Sequence, residues 1–187
     1  MQERSVLRAA TRDDAPRWYQ WRSEGREAFV DGLPFSVDSH LSWFEAKLAD
    51  RRTHLWTVLL ADRPVGMLGL TDIDHRQQSA ELAWVYVELA ARGIGAAAVR
   101  AALALGFDEL NLHRISLSVL ADNARAIRCY EKAGFRVEGR LREAVFKSGE
   151  RRDLILMALL RPEAAPSQES AAAPAECRPL TVSHGNY

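Results

Sequence analysis

The sequence predicts an α/β (α+β) domain: a mixed, mostly antiparallel sheet of about seven strands with helices on both faces and one parallel βαβ crossover. Three observations carry this expectation. Segments of strand and helix character follow in the order β-α-α-β-β-β-α-β-α-β-β. The stretch 80–120 reads as strand, glycine turn, alanine-rich helix and strand, a crossover that makes its two strands parallel. The strands of the first half are joined by tight polar turns, which makes them antiparallel.

In chain order, residues 5–10 form a first apolar strand. Thr11-Arg12-Asp13-Asp14 has the form of a capping box, and Pro16 suits the first turn of a helix that runs to about Arg22 and carries Trp18 and Trp21. Residues 23–35 are polar and broken by Gly25, Gly32 and Pro34, which predicts loop or short helix. Ser36 caps an amphipathic helix over 37–50, with Val37, Leu41, Phe44 and Leu48 at helical spacing. Residues 54–61 and 65–73 form a hairpin around Ala61-Asp62-Arg63-Pro64, and 80–87 is the strand that enters the glycine turn. The helix from Gly95 ends near Asp108 or Leu110, and 113–120 alternates as a strand. Asp122-Asn123 opens a helix that Gly134 stops. Residues 135–142 and 151–160 are the last two strands. Beyond Pro162, alanine-rich low complexity without core residues predicts a domain over 4–161 and a mobile tail over 162–187.

Composition narrows the function classes. The chain has 187 residues, 48% hydrophobic and 27% charged, as in globular domains. Lys+Arg 25 against Asp+Glu 25 gives zero formal charge, where a general nucleic-acid binder is basic. No apolar run reaches membrane-spanning length and the N-terminus has no signal-peptide character, so the expected compartment is the cytoplasm. Cys129 and Cys177 have neither metal-ligand nor disulfide spacing. The expectation is therefore no metal, no nucleic-acid partner and no membrane partner.

The glycine turn holds the first chemical signal. Val85-Tyr86-Val87 leads through Arg92-Gly93-Ile94-Gly95 into Ala96-Ala97. Gly93 and Gly95 let backbone N–H groups approach a ligand, and a helix N-terminus adds unpaired donors and partial positive charge. This is either a seat for a phosphate or pyrophosphate or an ordinary strand-to-helix turn.

Two motifs then match a known family. Arg92-Gly93-Ile94-Gly95-Ala96-Ala97 is similar to the pyrophosphate loop Q/R-x-x-G-x-G/A of the GNAT superfamily of acetyl-CoA-dependent N-acetyltransferases. Aligned on Gly93-Ile94-Gly95, the Gln/Arg position falls on Ala90; Arg92 fits the shifted register Arg92-x-x-Gly95-x-Ala97. The more specific run, Asn123 to Phe135, reads N-x-x-A-x-x-x-Y-E-K-x-G-F and resembles the family's second cofactor-side helix. Ser36 to Phe44, Ala80-Glu81-Leu82 and Leu112-His113-Arg114-Ile115 resemble the subgroup of ribosomal-protein N-terminal and sugar-nucleotide amine acetyltransferases. The resemblance implies acetyl-CoA as cosubstrate, bound by Val85, Tyr86, Val87, Arg92, Gly93, Ile94, Gly95, Ala96, Ala97, Asn123 and Tyr130. It implies that the first of the two parallel strands diverges from its neighbour, freeing backbone groups for the pantetheine arm and the thioester oxygen.

Acetyl transfer needs a held cofactor, a neutral amine, a stabilised oxyanion and a protonated leaving thiolate. Tyr130, seven residues after Asn123 and so on the same helix face, is the expected acid; otherwise it is a packed tyrosine with a satisfied hydroxyl. Asn123 is alternatively only an N-cap. Glu81 is the leading base, its alternative being an outward charge paired with Arg76. Asp72, Asp74 and His75 are runners-up, while His40 and His113 read as structural. The expected acceptor is a protein N-terminal α-amine, which demands least of a base because its pKa is about 7.7–8.0 against about 10.4 for lysine. A small-molecule amine, such as an amino-sugar nucleotide or aminoglycoside, is the alternative. A non-catalytic acyl-CoA-binding or sensor domain is the rival of another class. The loop 23–35, carrying Arg22, Glu24, Arg26, Glu27 and Asp31 in and beside it, and the helix 37–50 are expected to wall the amine cleft of a monomer or homodimer.

Overall fold

The structure is a computed structural model that describes residues 5–30, 36–88 and 94–163. Seven strands form one sheet: β1 (Ser5–Ala9), β2 (His54–Leu60), β3 (Arg63–Asp74), β4 (Ser79–Val87), β5 (Arg114–Leu120), β6 (Arg136–Lys147) and β7 (Glu150–Leu160). Their spatial order is β1-β2-β3-β4-β5-β7-β6. Every neighbouring pair is antiparallel except β4–β5. The helices are α1 (Ala15–Glu24), α2 (Val37–Ala49), α3 (Ile94–Ala104) and α4 (Ala124–Ala133).

Helices α1, α2 and α4 begin where the sequence supplies a cap. The Thr11 N–H donates to Asp14 Oδ2 at 2.7 Å ahead of α1. Ser36 Oγ accepts from the Ser39 N–H at 3.1 Å and the Ser36 N–H donates back to Ser39 Oγ at 2.9 Å, opening α2. Gly134, at φ +105°, closes α4. The helix after the glycine turn is regular only to Ala104 and ends in a wider π turn over Leu105–Glu109. Among the described residues no helix is long and apolar enough to cross a membrane.

The sheet separates two cores. On one face Val58, Leu68, Leu70, Leu82, Ile115, Leu117, Met157 and Leu159 pack against Ala98, Val99, Ala102 and Leu103 of α3. On the other, Trp18, Trp21 and Phe44 from α1 and α2 pack against Leu55 and Met67, with Trp43, Trp84 and Tyr86 around them. One inserted residue in β4 assigns its side chains to these cores. Met67 pairs with Tyr86 and Gly69 with Ala83, so Leu68 alone faces Trp84 and Val85, and Trp84 takes φ +53°. The bulge resets the alternation. Ala80, Leu82, Val85 and Val87 join the α3 core, while Trp84 and Tyr86 join the α1–α2 core.

Two expectations are corrected. The β2–β3 connection is tighter than a four-residue turn, because Arg63 and Pro64 already belong to β3. Ala61 (φ +48°) and Asp62 (φ +61°) alone make the reversal, both left-handed without a glycine. The sixth strand runs to Lys147 rather than 142. A bulge between Leu141 and Val145, with Glu143 at φ +52°, breaks its alternation, and nearly all of it is exposed. The predicted tail, apart from the short turn Arg161–Glu163, lies outside the described residues.

The left-handed pair at 61–62 is a stability reserve. Left-handed backbone costs a residue with a Cβ roughly 1–2 kcal/mol, and Asn-Gly suits this two-residue turn. The double substitution Ala61→Asn with Asp62→Gly is expected to stabilise the fold by about 1 kcal/mol, measured as a rise in Tm.

Candidate active site

β4 and β5 pair over only three positions, Ser79↔Arg114, Ala80↔Ile115 and Glu81↔Ser116. Beyond them β4 stays with β3 as far as Val87, and β5 stays with β7 as far as Leu120. From Leu82 and Leu117 onward the facing edges therefore diverge without pairing to each other. Val85, Val87, Ile94, Ala126, Ile127 and Tyr130 are half-buried apolar groups packed on the core beside this divergence. They bring the end of β4 and the first turns of α3 and α4 to one place. At Gly95 an added Cβ would come 3.4 Å from Cys129 Sγ, so α3 and α4 touch through this glycine.

A cavity of about 430 Å³ lies at the apex of the divergence, lined by Asp72, Gln77, Ser79, Ala80, Glu81, Arg114 and Ser116. Glu81 sits between Ala80 and Leu82, which face the α3 core, so its side chain projects toward the opposite face. It is half-buried and has neither ion pair nor hydrogen bond among the described residues, so the alternative pairing with Arg76 is absent. Burial, reinforced by Asp72, holds its carboxyl above the usual carboxylate range. Arg114 is engaged by Glu138, with Nη1 2.6 Å from Oε1. Asp72 stands at the bulge of β3, at φ +52°, 3.7 Å from Arg52. Asp74 is a turn former, its Oδ1 accepting the N–H groups of Arg76 and Gln77 at 2.9 Å. His75 does not line the cavity.

Tyr130 stands on α4, its ring edge-on to Phe135 at 5.9 Å. Its hydroxyl has no hydrogen-bond partner among the described residues, and burial pushes its pKa up. Asn123 caps α4: its Oδ1 accepts the Ala126 N–H at 3.1 Å. The Tyr86 side chain turns to the α1 face, where its hydroxyl donates to Glu24 Oε2 at 2.7 Å. Burial first, and that bond second, raise this phenol to about 12. Only the backbone of Tyr86 thus faces the divergence. Ile94, Gly95, Ala96 and Ala97 form the first turn of α3; Arg92 and Gly93 lie outside the described residues. His40 is buried, its Nε2 3.0 Å from the Ala15 carbonyl oxygen, and burial lowers its pKa, as suits a structural histidine. His113 is exposed.

Sequence reading passed over Arg125. Its charge acts both on the Cys129 thiol and on the Tyr86 phenol, so it overlooks α4 and the end of β4 together. Arg100 and Lys132 act on the same thiol, which burial nonetheless keeps raised. A cation two residues after an N-cap was the available signal. Among the described residues no His, Cys, Asp and Glu side chains group as a metal site.

The comparisons agree with this geometry. Residues 4–136 match the family model described as an acetyltransferase (GNAT) domain. Spermidine N(1)-acetyltransferase of Escherichia coli strain K12 is 31% identical over 142 residues, covering 75% of this chain and 72% of that protein. YdaF of Bacillus subtilis strain 168, provisionally a ribosomal N-acetyltransferase by name, is 31% identical over 99 residues, 52% of this chain and 54% of that protein. The crystal structure of spermidine N-acetyltransferase from Vibrio cholerae in complex with CoA and spermine superposes with TM-score 0.78 at 26% identity, covering 86% of this chain and 97% of that one. With the seven-stranded sheet, the single short parallel pair and the family match in agreement, the chain belongs to the GNAT acetyltransferases and is an acetyl-CoA-dependent N-acetyltransferase.

Proposed function

We propose that the acceptor is a small primary amine of the polyamine class, with Glu81 as general base and Tyr130 as general acid. The observation that carries this reading is the half-buried, unpaired Glu81 beside Asp72 in the apex cavity. A cationic amine is drawn to such a pair. Amines with pKa near that of lysine, about 10.4, arrive protonated and need a base. A carboxyl held above its ordinary range is a better base near neutral pH than an exposed one. The Escherichia coli relative whose name specifies spermidine matches over 75% of the chain, and the ribosomal relative over 52%. The longer match favours the small-molecule alternative over the protein N-terminus.

On this reading Glu81 accepts a proton from the ammonium. The freed lone pair attacks the thioester carbonyl carbon, forming the C–N bond. Backbone N–H groups at Val85–Val87 steady the oxyanion, and one such donor is worth roughly 2.7–4 kcal/mol. The C–S bond then breaks, the electron pair leaves on sulfur, the Tyr130 hydroxyl supplies the proton that completes the CoA thiol, and the second proton lost by the attacking nitrogen passes through solvent to restore the phenol. The first turn of α3, with Arg92 and Gly93 before it, holds the pyrophosphate, joined by Arg125. Asn123 contributes by capping α4. All these residues come from one chain, so a monomer or homodimer can carry the site. The catalytic unit ends near Glu163, which pairs with Arg136 at 2.6 Å.

Tyr130→Phe is expected to lower kcat by about 10²–10⁴-fold with little change in the KM for acetyl-CoA. Because the hydroxyl bonds no described residue, Tm should hold. Wild-type kcat in this variant would demote Tyr130 to packing.

Glu81→Gln should remove the acidic limb of the kcat/KM pH profile and lower its plateau by about 10²–10⁴-fold. The sign for stability is opposite. A raised carboxyl pKa means that folding favours the protonated form, so ionised Glu81 lowers stability as pH rises through the folded-state pKa. The variant's Tm advantage should therefore grow with pH above the ordinary carboxylate range.

The acceptor class is tested by competition at neutral pH among spermidine, short peptides, an aminoglycoside and an amino-sugar nucleotide. Turnover of spermidine is expected; acetylation of peptides alone would restore the protein N-terminus as acceptor. Tight acetyl-CoA binding with no turnover of any amine would point to a sensor domain.

A further inference from the structure

The β6–β7 hairpin reaches across the molecule to the segment that follows α1. Lys147, the last residue of β6, is only 5% exposed, an uncommon position for a lysine. Its Nζ donates to the carbonyl oxygen of Arg26 at 2.6 Å and to that of Phe29. Both carbonyls belong to the turns that continue from the C-terminus of α1, where Ala28 N–H donates to the Gly25 carbonyl at 2.8 Å. Helix ends leave carbonyls without partners, and a cation suits that negative pole. Next along the hairpin, Ser148 Oγ donates to Glu27 Oε2 at 3.1 Å.

The segment so gripped lies directly on the end of β4. The Phe29 ring is 6.5 Å from the Tyr86 ring. Gly25 approaches so closely that a Cβ there would come 2.9 Å from Tyr86 Cδ2 and 2.8 Å from Phe29 Cε2. Glu24, one residue earlier, holds the Tyr86 hydroxyl. The neighbouring Phe146 is 72% exposed, so the hairpin tip does not dock through its largest apolar side chain. What it commits to the interior is an ammonium that, among the described residues, donates to the carbonyls of Arg26 and Phe29.

We propose that Lys147 is a positioning residue for the amine acceptor: by gripping the Arg26 and Phe29 carbonyls it fixes the wall of the acceptor cleft against Tyr86. The proposal rests on the reading that the amine reaches β4 from the α1–α2 face, where Glu81 projects. An anchor serving only stability would affect both substrates alike; a positioning residue affects the amine.

The test uses the full chain with Lys147→Met, a side chain of similar length without donors. Hydrogen exchange of residues 25–30 should accelerate by about tenfold while α3 and α4 keep their protection. At saturating acetyl-CoA the KM for spermidine should rise at least about fivefold, with the KM for acetyl-CoA within about twofold of wild type. Unchanged exchange at 25–30 overturns the proposal. So does loosened exchange with an unchanged amine KM, or a parallel rise in both KM values. If Lys147→Met does not fold, Lys147→Gln, which keeps an N–H donor, is judged by the same criteria with an expected rise of about threefold in amine KM. If the wild type does not acetylate spermidine, the polyamine reading has failed, and the same two measurements judge Lys147 with the amine that is acetylated.

Discussion

The structure turns on a contest for hydrogen-bonding partners at β4 and β5. Each strand has a second neighbour that holds it further along than they hold each other. β5 is paired to β7 from Arg114↔Leu160 to Leu120↔Leu154. β4 is held on β3 up to Gly66↔Val87, where the backbones are so close that a Cβ on Gly66 would come 2.3 Å from the Tyr86 carbonyl oxygen. No other residue type allows that approach. Once β4 is committed to β3 and β5 to β7, the parallel pairing ends after Glu81 and Ser116. Unpaired strand edges are costly unless water or a ligand satisfies them. The divergence is thus a standing demand for an extended polar chain, which the pantetheine arm of the proposed complex can meet.

The bulge at Trp84 gives the two faces of this opening different characters. Without the extra residue, Trp84 would point into the α3 core and Val85 into the aromatic one. With it, Trp84 meets Trp43 edge-on at 5.1 Å and Tyr86 stacks near Trp21 at 6.3 Å. The face toward α3 and α4 keeps small aliphatic groups and two helix N-termini, a setting for phosphates. The face toward α1 and α2 carries rigid aromatics with Glu24 and, at the apex, Glu81, a setting for a cation. Thus the bulge at one residue gives the two faces of a single sheet opposite electrostatic settings.

Local signals in the sequence carried far, and their limit is physical. The capping box at Thr11–Asp14, the caps at Ser36 and Asn123 and the stop at Gly134 all depend on neighbours within a few residues, and each is found as expected. So is the parallel crossover, whose handedness and adjacency follow from chain geometry. The hairpin turn was legible, but its confinement to Ala61-Asp62 was not, because neither residue advertises left-handed backbone. The length of β6 was hidden because an exposed, bulged edge strand has no apolar alternation to detect. At the site, Glu81 was legible as a charge on an apolar strand, but its lack of a partner was not, since that depends on where Arg76 ends up. Lys147 fell beyond the expected end of the sixth strand at Arg142; only the folded chain brings it to carbonyls some 120 residues away in sequence. Arg125 was visible within its motif, but its reach toward Tyr86 needed the two strands to part.

The apex leaves Glu81 apart from the cations around it, which is what its proposed role as a base requires. A strand carboxylate that cannot find a cation is destabilising when ionised, and the fold offers cations nearby: Arg52 is 3.7 Å from Asp72 and Arg114 is part of the same cavity. Yet Arg114 is turned to Glu138, and Arg52 goes to Asp72 and to the carbonyl of Ile73 at 3.3 Å. Both guanidiniums are thus drawn to other acceptors while Glu81 stays open to the cavity. If either cation reached it, its carboxyl would be lowered and it would be a poor base. Keeping them engaged elsewhere leaves Glu81 with a raised proton affinity at the point where the two strands part. In the proposed mechanism the cation that meets this carboxylate is the ammonium of the acceptor.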